Sequence, residues 1–387
     1  MRIDVRYRGH GTADGVYRIR ASGCLVASLH WANADGALPD WTALAYVPLG
    51  AQGAGEYELR GGRDIPPEAT HLLARAVSPD FTTVEEAVAE IPVSQKKPAP
   101  QPDVRFCLMS DLHLASKPGR IRFALRRAAR ADCILLAGDI TNDGKPEQFE
   151  LFRSLIEEEC EGVPVFSVTG NHDQPVYPLP LIEDGTQSYP SFQGWLLRRA
   201  QAMGVYSETD SSGAYRAVFR GVSIYGLQAV SHYRRFVFRE GRQLQCLDTW
   251  LEQDDSAYPR LILCHAPLAA HNPMCAGEDN PENYLSRNKA LQEIVDRHGH
   301  IAFLSGHTHV TLNEACGCVE WDEERRNLYV NDSSICPTTF HRRETLGERE
   351  WVDGAMIWMD VSREGAVLKG QTLSSCKWIA RGYYCCG

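Results

Sequence analysis

Nine residues of this chain stand in five short clusters whose side chains bind metal ions or move protons: Asp111-Leu-His113, Asp139, Asn171-His172-Asp173, His265 and His307-Thr-His309. Asp111, His113, Asp139, Asn171, His265, His307 and His309 pool two carboxylates, an amide and four imidazoles as candidate metal ligands, which leaves His172 with Asp173 for proton chemistry. Mixed oxygen and nitrogen donors suit Mn²⁺, Fe or Zn²⁺ rather than Ca²⁺, whose sites are built from oxygen. Seven donors exceed what one ion uses. Two ions sharing a carboxylate is the natural arrangement, and ions about 3.5–4 Å apart are a standard device for displacement at phosphorus.

Each cluster follows an apolar run that reads as a strand. "VRFCLMS" leads into Asp111, "CILLA" into Gly138-Asp139, "VPVFSVT" into Gly170-Asn171, "LILC" into His265 and "IAFLS" into Gly306-His307. Helix-like segments such as "RIRFALRRAAR", "EQFELFRSLIEEE" and "NKALQEIVDRHG" alternate with them, the pattern of an α/β layered domain. In such sheets the carboxyl ends of the strands gather into a site. Asp111 to Asp139 is 28 positions and Asp139 to Asn171 is 32, each close to the roughly 30 residues of one βαβ unit.

Residues 1–92 differ in character: short alternating runs broken by Gly, Pro and Asp predict an all-β sandwich of immunoglobulin-like type. "IPVSQKKPAPQPD" then reads as a semi-rigid linker. The expected organisation is a β-sandwich over 1–92, a proline-rich linker over 93–103 and a catalytic domain over 104–387.

With 387 residues, 43% of them hydrophobic, the chain can bury one large core or two ordinary ones. A formal charge of −10 argues against a general nucleic-acid coat or a binder of anionic membranes. The start "MRIDVRYRGHG" has no apolar signal region and no stretch approaches about 18 continuous apolar residues, so a cytoplasmic protein without a membrane partner is expected. Thirteen cysteines, several in apolar runs (Cys107, Cys133, Cys264), suit reduced buried thiols better than a disulfide framework. Cys316-Gly-Cys318 and Cys385-Cys386 lack the spacing of paired zinc ligands.

Taken in order, D-L-H, A-G-D, G-N-H-D, C-H-A-P and G-H-T-H resemble the pattern of the calcineurin-like metallophosphoesterases over residues 104–340. The resemblance implies an αββα layered sandwich and a dinuclear hydrolase of phosphodiesters or phosphomonoesters. By it, Asp111, His113 and His309 hold one metal, Asn171, His265 and His307 hold the second, and Asp139 bridges them. A metal-bridging hydroxide then attacks phosphorus in line while His172, supported by Asp173, protonates the leaving alkoxide, a contribution of about 10²–10⁴-fold. "GDITNDG" lacks the Asp-Arg-Gly of protein Ser/Thr phosphatases, and with "REGRQLQCLDTWLEQ" looks more like the cyclic-nucleotide phosphodiesterase branch. That branch often carries His-His-Pro where this chain has His265-Ala266-Pro267.

Two other functions compete: a DNA exonuclease, which would need a basic face at the site, and a non-catalytic metal-binding scaffold for a protein partner. Arg120, Arg122, Arg126, Arg127 and Arg130 either attract a polyanion or form the solvated side of a helix. The insert at 174–195 reads equally as a lid or as packing, and His232 and His271 as substrate-side residues or ordinary surface histidines.

Overall fold

A computed structural model describes residues 1–7, 13–59, 65–80, 82, 84–91, 101–174, 188–232, 235–238, 241–268, 271–272, 289–309, 312, 318–332, 334–336 and 353–386. The chain divides into two compact units, Met1–Pro100 with Val367–Cys385 and Gln101–Ala366 with Cys386–Gly387.

The first unit is built from β1 (Arg2–Tyr7), β2 (Gly15–Arg20), β3 (Val26–Asn33), β4 (Gly36–Ala37), β5 (Ala45–Pro48), β6 (Ala54–Leu59), β7 (His71–Val77) and β8 (Val84–Glu90). One sheet has the order β1-β2-β6; the other runs β4-β3-β7-β8, with β5 on β3. Strict alternation drives this pairing: in β2, Tyr17 and Ile19 are buried while Arg18 and Arg20 are exposed. Their partners in the core include Leu29, Trp31, Leu59 and Leu72. The expectation of an all-β N-terminal region holds.

From Val104 the order is β9 (Val104–Met109), α1 (Gly119–Ala128), β10 (Cys133–Leu136), α2 (Pro146–Glu159), β11 (Val165–Ser167), α3 (Ser188–Ala202), β12 (Tyr206–Thr209), β13 (Tyr215–Phe219), β14 (Val222–Gly226), β15 (Val230–His232), β16 (Arg235–Val237), α4 (Arg242–Glu252), β17 (Arg260–Leu263), α5 (Lys289–His298), β18 (Ile301–Ser305), β19 (Val319–Asp322), β20 (Asn327–Asn331) and β21 (Ala355–Ser362). One sheet places β11, β10, β9 and β21 side by side, the first three parallel. The other has the order β12-β13-β14-β17-β18-β20-β19, parallel from β14 to β20. The parallel strands β10 and β18 are buried at every position, as strands covered on both faces must be.

Aromatic contacts join the two sheets, Phe106 with Phe219 at 6.4 Å and Phe166 with Tyr215 at 6.2 Å. On the outside of the second sheet, Leu244, Leu247 and Leu251 of α4 and Leu291, Ile294 and Val295 of α5 pack on Ile262, Cys264 and Phe303. On the other side, α1 buries the stripe Ile121, Ala124, Leu125 and Ala128, α1 packs on α2, and α3 packs on β11. Arg122 and Arg126 turn to Glu158 and Glu159 of α2. Those two arginines of the basic run therefore carry local ion pairs. Among the described residues no helix is long and apolar enough to cross a membrane.

One expected boundary is corrected. Residues 104–387 do not form one continuous unit, because β22 (Gly365–Thr372) and β23 (Trp378–Cys386) deliver Val367, Ala380 and Tyr383 to the core of the first unit. There the Trp31 indole donates to the Ala380 carbonyl at 3.1 Å, and Trp378 exchanges backbone hydrogen bonds with Asp40 and Thr42 at 2.8 and 2.9 Å. Backbone pairing over more than 300 positions carries no local signal. Most of the expected linker lies outside the described residues.

Candidate metal centre

The five strand ends converge. Asp111 and His113 follow β9, Asp139 follows β10, Asn171 to Asp173 follow β11, His265 follows β17, and His307 and His309 follow β18. Asp111, His113, Asp139 and His309 offer ligand atoms that all lie within 4.8 Å of one another. The Nε2 atoms of His113 and His309 face each other at 3.0 Å. Asp111 Oδ1 stands 3.3 Å from His309 Nε2 and 4.0 Å from His113 Nε2, and it is a buried oxygen to which none of the described residues donates a hydrogen bond. Two ring nitrogens and an unsatisfied carboxylate oxygen around one point suit a cation.

Beside this group, Asn171 Oδ1 lies 3.2 Å from His265 Nε2 and 3.1 Å from His307 Nδ1. His265 donates from Nδ1 to the Ala137 carbonyl at 2.7 Å, which presents Nε2 to the cluster. Asp139 Oδ2 lies between the groups, 3.4 Å from His265 Nε2 and 3.7 Å from His113 Nε2. All seven expected ligands are thus brought together.

The backbone is bent to achieve this. Asp111, His113, Asp139, His307 and His309 all adopt positive φ, between 46° and 72°, an uncommon and costly conformation for residues with a side chain. The preceding glycines leave room for ligands: a Cβ on Gly170 would run into the Asp139 carboxylate, and one on Gly138 would stand 2.6 Å from the His265 ring.

Electrostatics follow from burial and proximity. Burial alone would raise the Asp111 and Asp139 carboxyls, but the surrounding histidines outweigh it and hold both below their ordinary value. Burial lowers His113 to about 4 and His307 to about 3. His265 goes the other way, up to about 10, because Asp139 and Asp111 outweigh its burial.

His172 is exposed, its ring edge-on to His113 with centroids 4.5 Å apart. Its Nδ1 donates to the Asn142 carbonyl at 2.8 Å, and its backbone N–H donates to Asp139 Oδ1 at 2.8 Å. The expected support from Asp173 is corrected here. That carboxylate is buried and accepts from the backbone of Ile140, Thr141 and Gly170 at 3.2, 2.8 and 2.9 Å and from the Thr141 hydroxyl at 3.0 Å. Neighbours in sequence, the two side chains leave the loop in different directions: Asp173 fastens it and Asn142 orients His172.

A family model for the calcineurin-like phosphoesterases matches residues 104–311, more than half of the chain. The chain belongs to this family. The chain is 28% identical over 190 residues to a probable cyclic nucleotide phosphodiesterase of Synechococcus sp., a match spanning 45% of this chain and 60% of that relative. It shares its fold with a purple acid phosphatase from yellow lupin (Lupinus luteus) seeds, at a TM-score of 0.51 and 12% identity, covering 98% of this chain and 73% of the other. The cluster around Asp111 is the candidate metal site of this family member.

A sixth strand end also lies at the cluster, and sequence reasoning missed it. At the end of β20, Asn331 donates to the Gly306 carbonyl at 2.7 Å and accepts from Thr308, gripping the His307–His309 loop. Ser334 Oγ donates to the Asp111 carbonyl at 3.2 Å, and Asp332 lies against Ser110. The signal was available: "NLYV" followed by "NDSS" is an apolar run ending in polar groups. By contrast, His271 stacks on Tyr329 at 3.6 Å and contacts Glu320 at 3.0 Å, as a packed side chain does. Residues 175–187 of the insert, the His232 side chain and Cys316 lie outside the described residues.

Proposed function

We propose that this phosphoesterase hydrolyses a phosphodiester or phosphomonoester of nucleotide type with two divalent or trivalent metal ions, of which Mn, Fe or Zn fit the donor set. Asp111, His113 and His309 would hold one ion, Asn171, His265 and His307 the other, with Asp139 shared. The observation that carries this reading is the approach of Asp139 Oδ2 to histidines of both groups, at 3.7 and 3.4 Å. Such a pair supplies charge neutralisation at phosphorus and an activated water.

The chain's own residues do the rest. His265 is fixed in one tautomer by the Ala137 carbonyl. His172, its Nδ1 engaged by Asn142, keeps Nε2 for proton exchange at the exposed rim of the cluster. From there it would hand its Nε2 proton to the leaving oxygen as the P–O bond breaks. A cyclic nucleotide is the favoured substrate class, on the strength of the Synechococcus relative. A DNA exonuclease is disfavoured because Arg122 and Arg126 are paired with Glu158 and Glu159, and a non-catalytic scaffold because the candidate acid stands beside an intact ligand set.

We also propose an immunoglobulin-like type for the first unit. It is supported by one sheet of β1-β2-β6 facing a set in which β3, β7 and β8 are consecutive neighbours, and by the Tyr17 hydroxyl donating back to the Ala13 carbonyl.

Elemental analysis of the purified protein, followed by assay with Mn²⁺ against a cyclic nucleotide, bis(nitrophenyl) phosphate, nitrophenyl phosphate and single-stranded DNA, tests the function. Two bound metals with turnover of the diesters is the expected result. Fewer than two metals at full activity would overturn the dinuclear reading, and preferred degradation of DNA would overturn the substrate class.

A further inference from the structure

Behind the Asp111 carboxylate lies a second acid that the chemistry above does not use. Asp332 is 1% exposed, at the end of β20. The Ser110 hydroxyl sits between the two, in contact with Asp111 Oδ2 on one side and Asp332 Oδ1 on the other. A hydroxyl has one proton to donate. It can therefore serve one carboxylate only, and the other contact must be donated to the serine oxygen by a carboxyl group.

The remaining contacts decide the direction. Asp111 Oδ2 also accepts the His307 backbone N–H at 3.1 Å and its other oxygen stands 3.3 Å from His309 Nε2, so Asp111 has a backbone donor on one oxygen and an imidazole beside the other. Asp332 Oδ2 is buried and, among the described residues, receives no hydrogen bond. An ionised carboxylate with an unsatisfied buried oxygen is costly, whereas a neutral acid tolerates the same place. Burial and the nearby Asp111 charge push the Asp332 carboxyl well above its ordinary value, in the same direction.

We propose that Asp332 is a positioning residue of the metal centre, donating to Ser110, which in turn donates to Asp111 and aims its Oδ1 at the cation position. The inference rests on the reading of Asp111 as a metal ligand. It assigns to the chain a hydrogen-bonded series, Asp332 to Ser110 to Asp111, in which the proton of a neutral acid orients a ligand from behind. Partners of this kind typically contribute 10- to 100-fold in metal affinity.

The test measures Mn²⁺ binding to the full chain by calorimetry, with thermal melting recorded alongside. Asp332→Ala and Ser110→Ala should each weaken Mn²⁺ about 10- to 100-fold. The double variant should lose no more than either single one, because both act through one hydroxyl. Asp332→Asn, which keeps a donor without a charge, should restore binding toward that of the unsubstituted protein. Additive losses, or an Asn variant as weak as the Ala variant, would overturn the series even if all variants melt normally. A chain that binds no Mn²⁺ at all overturns the metal reading and this inference together; normal binding that Asp332→Ala leaves unchanged overturns this inference alone.

Discussion

The two halves of the candidate metal centre are built on different terms. Around Asp111, side chains of His113 and His309 keep 10% and 24% exposure, and their ring nitrogens confront one another with a carboxylate oxygen that receives no hydrogen bond from the described residues. Around Asn171 the ligand oxygen is neutral, His265 is fully buried, and its ring is locked by a backbone carbonyl. The first half carries negative charge and a donor set suited to a cation. The second is organised by hydrogen bonds that exist without one. One cluster thus pairs a charge-dominated position with a geometry-dominated one, and the two should respond differently to substitution.

The largest effect should come where the halves meet. Asp139→Asn is expected to remove at least one metal and nearly all turnover, because Asp139 approaches histidines of both groups and also receives the His172 backbone N–H; full metal occupancy with an unchanged rate would break the division into halves. His172→Ala should keep both metals and lose about 10²–10⁴-fold on esters with poor leaving groups. That loss should shrink for a nitrophenyl ester, whose leaving group is stable without a proton, and an equal loss on both would argue for orientation of phosphate rather than proton donation.

Substitutions within each half sharpen the contrast. His309→Ala should lose one metal equivalent with little change in melting temperature, whereas His265→Ala should lose one equivalent and also destabilise the fold by about 1–3 kcal/mol, since a buried carbonyl loses its donor. Matching melting curves would erase the distinction. The smallest catalytic effect is expected for Asp173→Ala. It leaves backbone donors of Ile140, Thr141 and Gly170 without an acceptor, at a cost of about 2 kcal/mol or more in stability. The difference between poor and good leaving groups should survive it; loss of that difference would restore Asp173 as the support of His172.

What was legible in the sequence follows the same physics. Asp111, Asp139, Asn171, His265 and His307 were readable because each closes an apolar run, and parallel strands deliver their carboxyl ends to one side. Asp173 was misread because adjacency to His172 fixes nothing about side-chain direction in a loop. Ser110 and Asp332 were passed over because their work is on Asp111 from behind, 222 positions apart. Val367, Ala380 and Tyr383 could not be placed at all, since alternation marks a strand and does not name its partner.

The late return of the chain to the first unit has a consequence for biosynthesis. Strands β1 to β8 leave the ribosome well before β23 is translated, a delay of roughly 15 to 60 s at ordinary elongation rates. Until then the nascent N-terminal sandwich lacks Ala380 and Tyr383, and the Trp31 indole lacks its acceptor. The unit synthesised first is therefore finished late, so a nascent polypeptide stalled before residue 378 displays an incomplete apolar core to chaperones and proteases even when its catalytic motifs have already been made.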